Sequence, residues 1–258
     1  MLKNNFIILL TIVTIIVVYI IILVIFPYVY AIKLQVTMAP ENFGKQILTR
    51  KGEDQQSATN NPTFKIAVIG DSTAAGQGTD SIKESVAWQY TEKYILKKYP
   101  KVEYTSFAKV GSRVEDITPV QLEELLKNDY DLIFVSTGAN NVTDFKSNND
   151  SYNKSVQALT DKLVATKSKI IWLSIPDFIT SPILLPPLNI FLSNRTREFN
   201  QQTTDILKKH NIKLVDTYNK AREPFARDQN KYFSKDKYHP SKDGYALWVE
   251  VINEDIKL

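Results

Sequence analysis

Ser72 stands in the run Gly70-Asp71-Ser72-Thr73-Ala74-Ala75-Gly76-Gln77-Gly78, directly after an apolar stretch at 64–69. A serine hydroxyl is a poor nucleophile until a base takes its proton. A glycine-rich turn just past a buried strand is a place from which such an Oγ can face a substrate. Imidazole is the natural base because it titrates near neutral pH, and the chain has 2 histidines, His210 and His239. Asp236 lies three residues before His239 and can accept a hydrogen bond from its second ring nitrogen. That bond would fix the tautomer and stabilise the imidazolium. His210 ends a Lys-Lys-His run at an expected helix C-terminus, where histidine caps carbonyls and meets solvent. Taken alone, Asp236-Lys237-Tyr238-His239-Pro240 also reads as an ordinary turn before a helix. The chemistry at stake is acyl transfer through a serine ester.

Composition removes the competing chemistries. With Cys 0 in 258 residues there is no thiolate nucleophile, disulfide framework or Cys-ligated metal. Two histidines make a multi-His metal site improbable. The net charge of +4 is mild and spread along the chain, which gives no basic block for nucleic acid. The 43% hydrophobic and 23% charged fractions are those of a globular chain.

The elements that would position these residues follow from hydrophobic pattern. Short apolar runs at 64–69, 102–108, 132–137 and 170–175, with a brief one at 213–216, read as strands. Between them, 81–99, 119–128, 151–167, 194–210 and 241–256 read as helices, the first opened by a capping box of Ser81 with Glu84. Strands alternating with helices imply βαβ units and a three-layer α/β/α sandwich around a parallel sheet. Ligands bind such sheets at the carboxyl ends of the strands. Those ends carry the serine run, then Lys109-Val110-Gly111-Ser112, then Gly138-Ala139-Asn140-Asn141, and Asp236 to Pro240 precedes the last helix.

These four fragments, in this order and at these places, resemble the SGNH (GDSL-type) hydrolase family from about residue 64 to the end. The resemblance implies the flavodoxin-like sandwich, a Ser72–His239–Asp236 triad and no cofactor. It also implies an oxyanion hole of the Ser72 N–H, Gly111 and Asn140. A glycine lets backbone approach closely, and an asparagine supplies an uncharged N–H donor. One departure is Asn141, where the family usually has aspartate; altered loop hydrogen bonding is expected there, with the triad untouched.

Residues 6–26 carry no charge and, as a helix, would span about 31 Å, the thickness of a bilayer's hydrocarbon core. Pro27 is expected to interrupt this helix. Residues 1–32 thus read as a tail and membrane anchor, 33–62 as a polar linker and 63–258 as the hydrolase domain. The run is longer than a signal h-region, which favours a retained anchor, but Val29-Tyr30-Ala31 would serve as a cleavage site and release a secreted protein. A short cytoplasmic tail with the domain outside is the simpler orientation.

Other readings of the motifs are weaker. The serine run lacks the spacing and lysine of a phosphate loop, and no G-x-S-x-G elbow occurs. Asn141, Asn149, Asn153 and Asn194 begin glycosylation sequons, of which the first is expected to stay unused beside the oxyanion hole. The apolar, proline-rich stretch 179–192 reads as an acyl-binding wall, as a flap leaning toward the membrane, or as ordinary core. The expected function is a membrane-anchored extracytoplasmic serine esterase acting on an acyl ester, lipid or acylated glycan. An acyltransferase with the same triad and a non-catalytic glycan-binding module are the alternatives.

Overall fold

In a computed structural model, residues 2–34, 45–49 and 63–256 are described. A six-stranded sheet is built from β1 (Lys45–Thr49), β2 (Phe64–Gly70), β3 (Lys101–Ser106), β4 (Leu132–Ser136), β5 (Lys169–Leu173) and β6 (Leu214–Val215), in the order β1-β3-β2-β4-β5-β6. All neighbouring pairs are parallel except β1 with β3. The expected parallel sheet is therefore present, with one antiparallel edge strand added. That strand falls inside the stretch expected to be linker and corrects it there. The remainder of that stretch, 35–44 and 50–62, lies outside the described residues.

The period of two along each strand divides the core. Ile66 and Val68 of β2 join Leu132 and Phe134 of β4 on one face, beneath the helix that begins at Val86 and the last helix. Ala67, Ile69, Ile133 and Val135 face the other way. Helix α2 begins at Val86–Tyr90 and continues through a wider turn, Thr91–Ile95, to Leu96–Lys98. The capping box expected at Ser81 is replaced: Ile82–Glu84 is a single 3-10 turn, and the buried Ser85 side chain accepts from the Trp88 N–H as the true cap.

On the second face, α3 starts at Val114–Ile117 and runs through Thr118–Leu122 to Glu123–Leu125. It is joined by α4 (Ala139–Thr143), α5 (Asn149–Ala165) and α6 (Leu188–Lys208). Helix α6 begins six residues earlier than expected, immediately after Pro187, because proline at a helix start sacrifices no bonded N–H. Three short helices, α7 (Thr217–Lys220), α8 (Arg222–Arg227) and α9 (Gln229–Tyr232), lead to α10 (Lys242–Asp255), whose Ser241 side chain caps the Gly244 N–H.

Ahead of the sheet a helix covers Leu2–Leu34. Its segment Asn5–Leu23 has mean hydropathy 3.3 and is long and apolar enough to cross a membrane, a property that anchors and signal sequences share. The expected break at Pro27 does not occur. The helix runs through that position.

Candidate active site

The strand order reverses between β2 and β4, since β3 lies to one side of β2 and β4 to the other. Crevices at such switch points receive ligands, and both Ser72 and Asn140 sit in the loops that leave these two strands. Close approach at this point demands glycine. Gly70 has φ +139°, and a Cβ there would stand 1.9 Å from the Ser136 carbonyl oxygen. Gly78 has φ +98°, and its Cβ would meet the Pro240 carbonyl oxygen at 2.4 Å and the His239 Cβ at 3.0 Å. Bare backbone thus presses the serine loop against the histidine loop.

Ser72 and His239, 167 residues apart in sequence, meet with Nε2 2.9 Å from Oγ. His239 Nδ1 lies 2.7 Å from Asp236 Oδ2. The other carboxylate oxygen of Asp236 accepts from the Ser234 hydroxyl at 2.7 Å and from the N–H groups of Tyr238 and His239 at 2.8 Å. Burial alone would raise the Asp236 pKa. Hydrogen bonds from the His239 ring, the His239 charge and the Ser234 hydroxyl outweigh it and hold the pKa at about 2. Asp236 is therefore an ionised acceptor across the neutral range, able to orient and stabilise an imidazolium. His210 lies elsewhere, 3.8 Å from Asp161 of α5.

Asn140 opens α4 behind Gly138 and donates one Nδ2 hydrogen to the Ser112 carbonyl at 2.9 Å, which leaves its second for a ligand. Among the described residues, no protein acceptor receives the N–H of Ser72 or of Gly111. Ser72, Gly111, Asn140, Asp236 and His239 all border one cavity of about 680 Å³. Three unsatisfied donors beside a serine–imidazole pair can receive a developing oxyanion.

Asn141 is buried and explains the departure from aspartate. Its Oδ1 accepts from the Val114 N–H at 3.0 Å, while its Nδ2 donates to Glu115 Oε2 at 2.8 Å. An aspartate could serve the first partner but would set two carboxylates together at the second. Burial at 1% exposure also closes the Asn141 sequon to a glycan.

Three residues that sequence reading passed over brace the site. Gln121 of α3 accepts from the Gly70 N–H at 2.8 Å, donates to the Gly70 carbonyl at 2.9 Å and reaches the Ser112 hydroxyl at 3.2 Å. It ties the serine loop to the Gly111 loop. The only sequence trace was a polar residue on the apolar side of a helix. Arg195 of α6 donates to the carbonyls of Asn141, Asp144 and Ser147. Asp71 is fully buried, accepts from the N–H and hydroxyl of Thr73 at 2.9 and 2.7 Å, and has its pKa pushed up by burial.

The far end of the cavity is apolar. Ile183, Leu184, Leu188 and Leu192 line it with Phe178. The 179–192 stretch thus contributes side chains to the cavity on which Ser72 opens, as the acyl-wall expectation requires, while Leu185 and Ile190 point outward.

Residues 68–247 match the family model for GDSL-like lipases and acylhydrolases. The chain belongs to this GDSL-like lipase/acylhydrolase family. It is accordingly an ester hydrolase, and curated proteins offer no sequence match to refine that further. Solved GDSL-type structures share its fold. A member of the lipolytic G-D-S-L family from Veillonella parvula is 20% identical, with TM-score 0.57, over 74% of this chain and 97% of the other. A lipase from a goat rumen metagenome is 19% identical, with TM-score 0.58, over 74% and 97%. An acetylxylan esterase from Geobacillus stearothermophilus is 17% identical, with TM-score 0.56, over 76% and 94%.

Proposed function

We propose that this GDSL-like hydrolase is a membrane-anchored, extracytoplasmic serine esterase that uses Ser72, His239 and Asp236 as its triad. The carrying observation is the unbroken relay of 2.9 and 2.7 Å from Oγ through imidazole to carboxylate, at the mouth of an apolar cavity. In this reading Ser72 Oγ attacks the ester carbonyl while His239 Nε2 takes its proton, and Asp236 holds the imidazolium through Nδ1–H. The oxyanion of the tetrahedral intermediate accepts from the Ser72 and Gly111 N–H groups and from Asn140 Nδ2. His239 returns the proton to the departing alcohol oxygen. Water, deprotonated by the same imidazole, then releases the acyl group and restores the serine.

The acyl group lies against Ile183, Leu184, Leu188 and Leu192. An acetyl group would leave most of about 680 Å³ empty, so an acyl chain longer than acetyl suits this cavity better. The acetylxylan esterases among the structural relatives keep an acylated glycan in view as the alcohol half. The apolar helix at 5–23 supplies the anchor, with the domain on the outer side.

The full chain in detergent, given p-nitrophenyl esters from two to twelve carbons and a serine-reactive fluorophosphonate, tests the proposal. Wild type is expected to label and turn over, with a preference for medium chains. Ser72→Ala is expected to do neither, losing at least ~10⁴-fold in turnover. Labelling that survives in Ser72→Ala would remove Ser72 from the reaction.

A further inference from the structure

We propose that the strip 185–191, with Val110 and Phe145 across the cavity mouth, docks onto the lipid surface of the membrane that the first helix enters. Ser72 then works on esters presented at that interface. The substrate half of this proposal rests on the esterase reading above; the docking half does not.

Outside the first helix, eight large apolar side chains are exposed among the described residues, and five of them belong to this mouth: Val110, Phe145, Leu185, Ile190 and Phe191. Single exposed apolar residues are ordinary, whereas a contiguous group marks an interaction surface. Here two of the five touch each other and two border the cavity. Phe145, 67% exposed, stacks on Phe191 with ring centroids 5.8 Å apart. Val110 and Phe145 border the catalytic cavity, and Leu185 lies between its lining residues Leu184 and Leu188. No charge occurs from 178 to 194. Exposed Lys109 and Lys146 adjoin Val110 and Phe145 in sequence, and lysines so placed lay their stems along apolar surface while their ammonium groups reach lipid headgroups.

The first helix identifies the occupant. The Tyr19 hydroxyl donates to the Pro186 carbonyl, within the strip itself. Leu23, three residues before the end of the uncharged run 6–26, is buried at the catalytic cavity. Four residues of helix separate these two contacts, about 6 Å along the axis. Interfacial apolar elements sit ~5–10 Å into the headgroup and acyl boundary. Measured from Phe26, where the uncharged run ends, Leu23 lies about 5 Å and Tyr19 about 10 Å along the axis, so the strip held at Tyr19 and the cavity at Leu23 both fall within that boundary layer. A sugar resting on the Phe145–Phe191 pair is the competing occupant, but Leu185 and Ile190 offer it nothing to bond.

The chain has no native cysteine, so one introduced thiol reports one place. The full-length variants Ile190→Cys, Phe145→Cys and Lys154→Cys, the last on exposed α5, carry a nitroxide in vesicles of phosphatidylcholine and phosphatidylglycerol. Labels at 190 and 145 are expected to collide several-fold more with dissolved oxygen than with an aqueous nickel chelate, and the label at 154 the reverse. Labels at 190 and 145 that behave like 154 overturn the docking, as does shielding of them only by an added acetylated xylo-oligosaccharide. In the activity arm, Leu185→Asp and Ile190→Asp should keep wild-type turnover of soluble p-nitrophenyl acetate and lose about tenfold on a long-chain ester embedded in vesicles. Equal activity on both substrates, or an equal loss on both, counts against presentation at the interface. Should wild type hydrolyse neither ester, the esterase reading fails, and the label depths still decide the docking.

Discussion

The two ends of the cavity are held by different physics. At the polar end each group is fixed by directed bonds: both oxygens of Asp236 are engaged, and both backbone groups of Gly70 are held by Gln121. At the apolar end the side chains of Ile183, Leu184, Leu188 and Leu192 make no directed bonds and are positioned by packing, on a segment without charge. Directed bonds give a geometry that fails sharply when one partner is removed. Packing gives a volume that changes by degrees. The polar end should therefore govern whether an ester is cleaved, and the apolar end which one.

Substitutions can break that division, and the largest effect is expected at the polar end. Asn140→Ala removes one oxyanion donor and should cost ~10²–10³ in kcat with little change in KM; steady-state kinetics on one ester decides it, and near-normal turnover takes Asn140 out of the site. Leu192→Trp, which fills the apolar end, should lower kcat/KM for a twelve-carbon ester by about tenfold and leave the acetate unchanged. A uniform loss across chain lengths would mean that the two ends are not separable.

Smaller effects sharpen the polar end. Asn141→Asp places a second carboxylate against Glu115 and should destabilise by about 1–3 kcal/mol at neutral pH. Thermal melts should show the loss fading as acid protonates one of the pair. Asp236 gives the smallest effect, one that fades only in acid. Its folded pKa of about 2 lies below the ordinary 3.8, so its stabilising contribution is complete above pH ~4 and disappears as pH falls toward 2. Melts of wild type and Asp236→Asn should differ at pH 6 and converge near pH 2; a constant gap would show that the ion pair is not what the carboxylate contributes.

The sheet was legible wherever strands are buried on both faces, because such strands are continuous apolar runs, as at 64–69 and 132–137. Edge strand β1, KQILT, buries only Leu48 fully, and one apolar contact in a polar neighbourhood is no pattern. The short helices α7 to α9 escaped notice for a related reason: each is a turn or so long, below the length at which a period shows. Ser72, Asp236 and His239 were readable because their chemistry is carried by residue type, and the structure brings those three together. Gln121 was not, since a buried glutamine takes its meaning from Gly70 and Ser112, partners that only the folded chain supplies. Arg195 acts in the same way, through carbonyls on another element.

Gly78 lies bare against Pro240 and His239 across most of the domain's length. Synthesis proceeds from the amino end, so a growing chain displays Ser72 more than 160 residues before His239, its proposed base. Contacts of such sequence separation close late. A chain cut short between Leu192 and His239 has the apolar wall and Ser72 but lacks the imidazole proposed to activate it, so hydrolysis is withheld until synthesis has passed that residue.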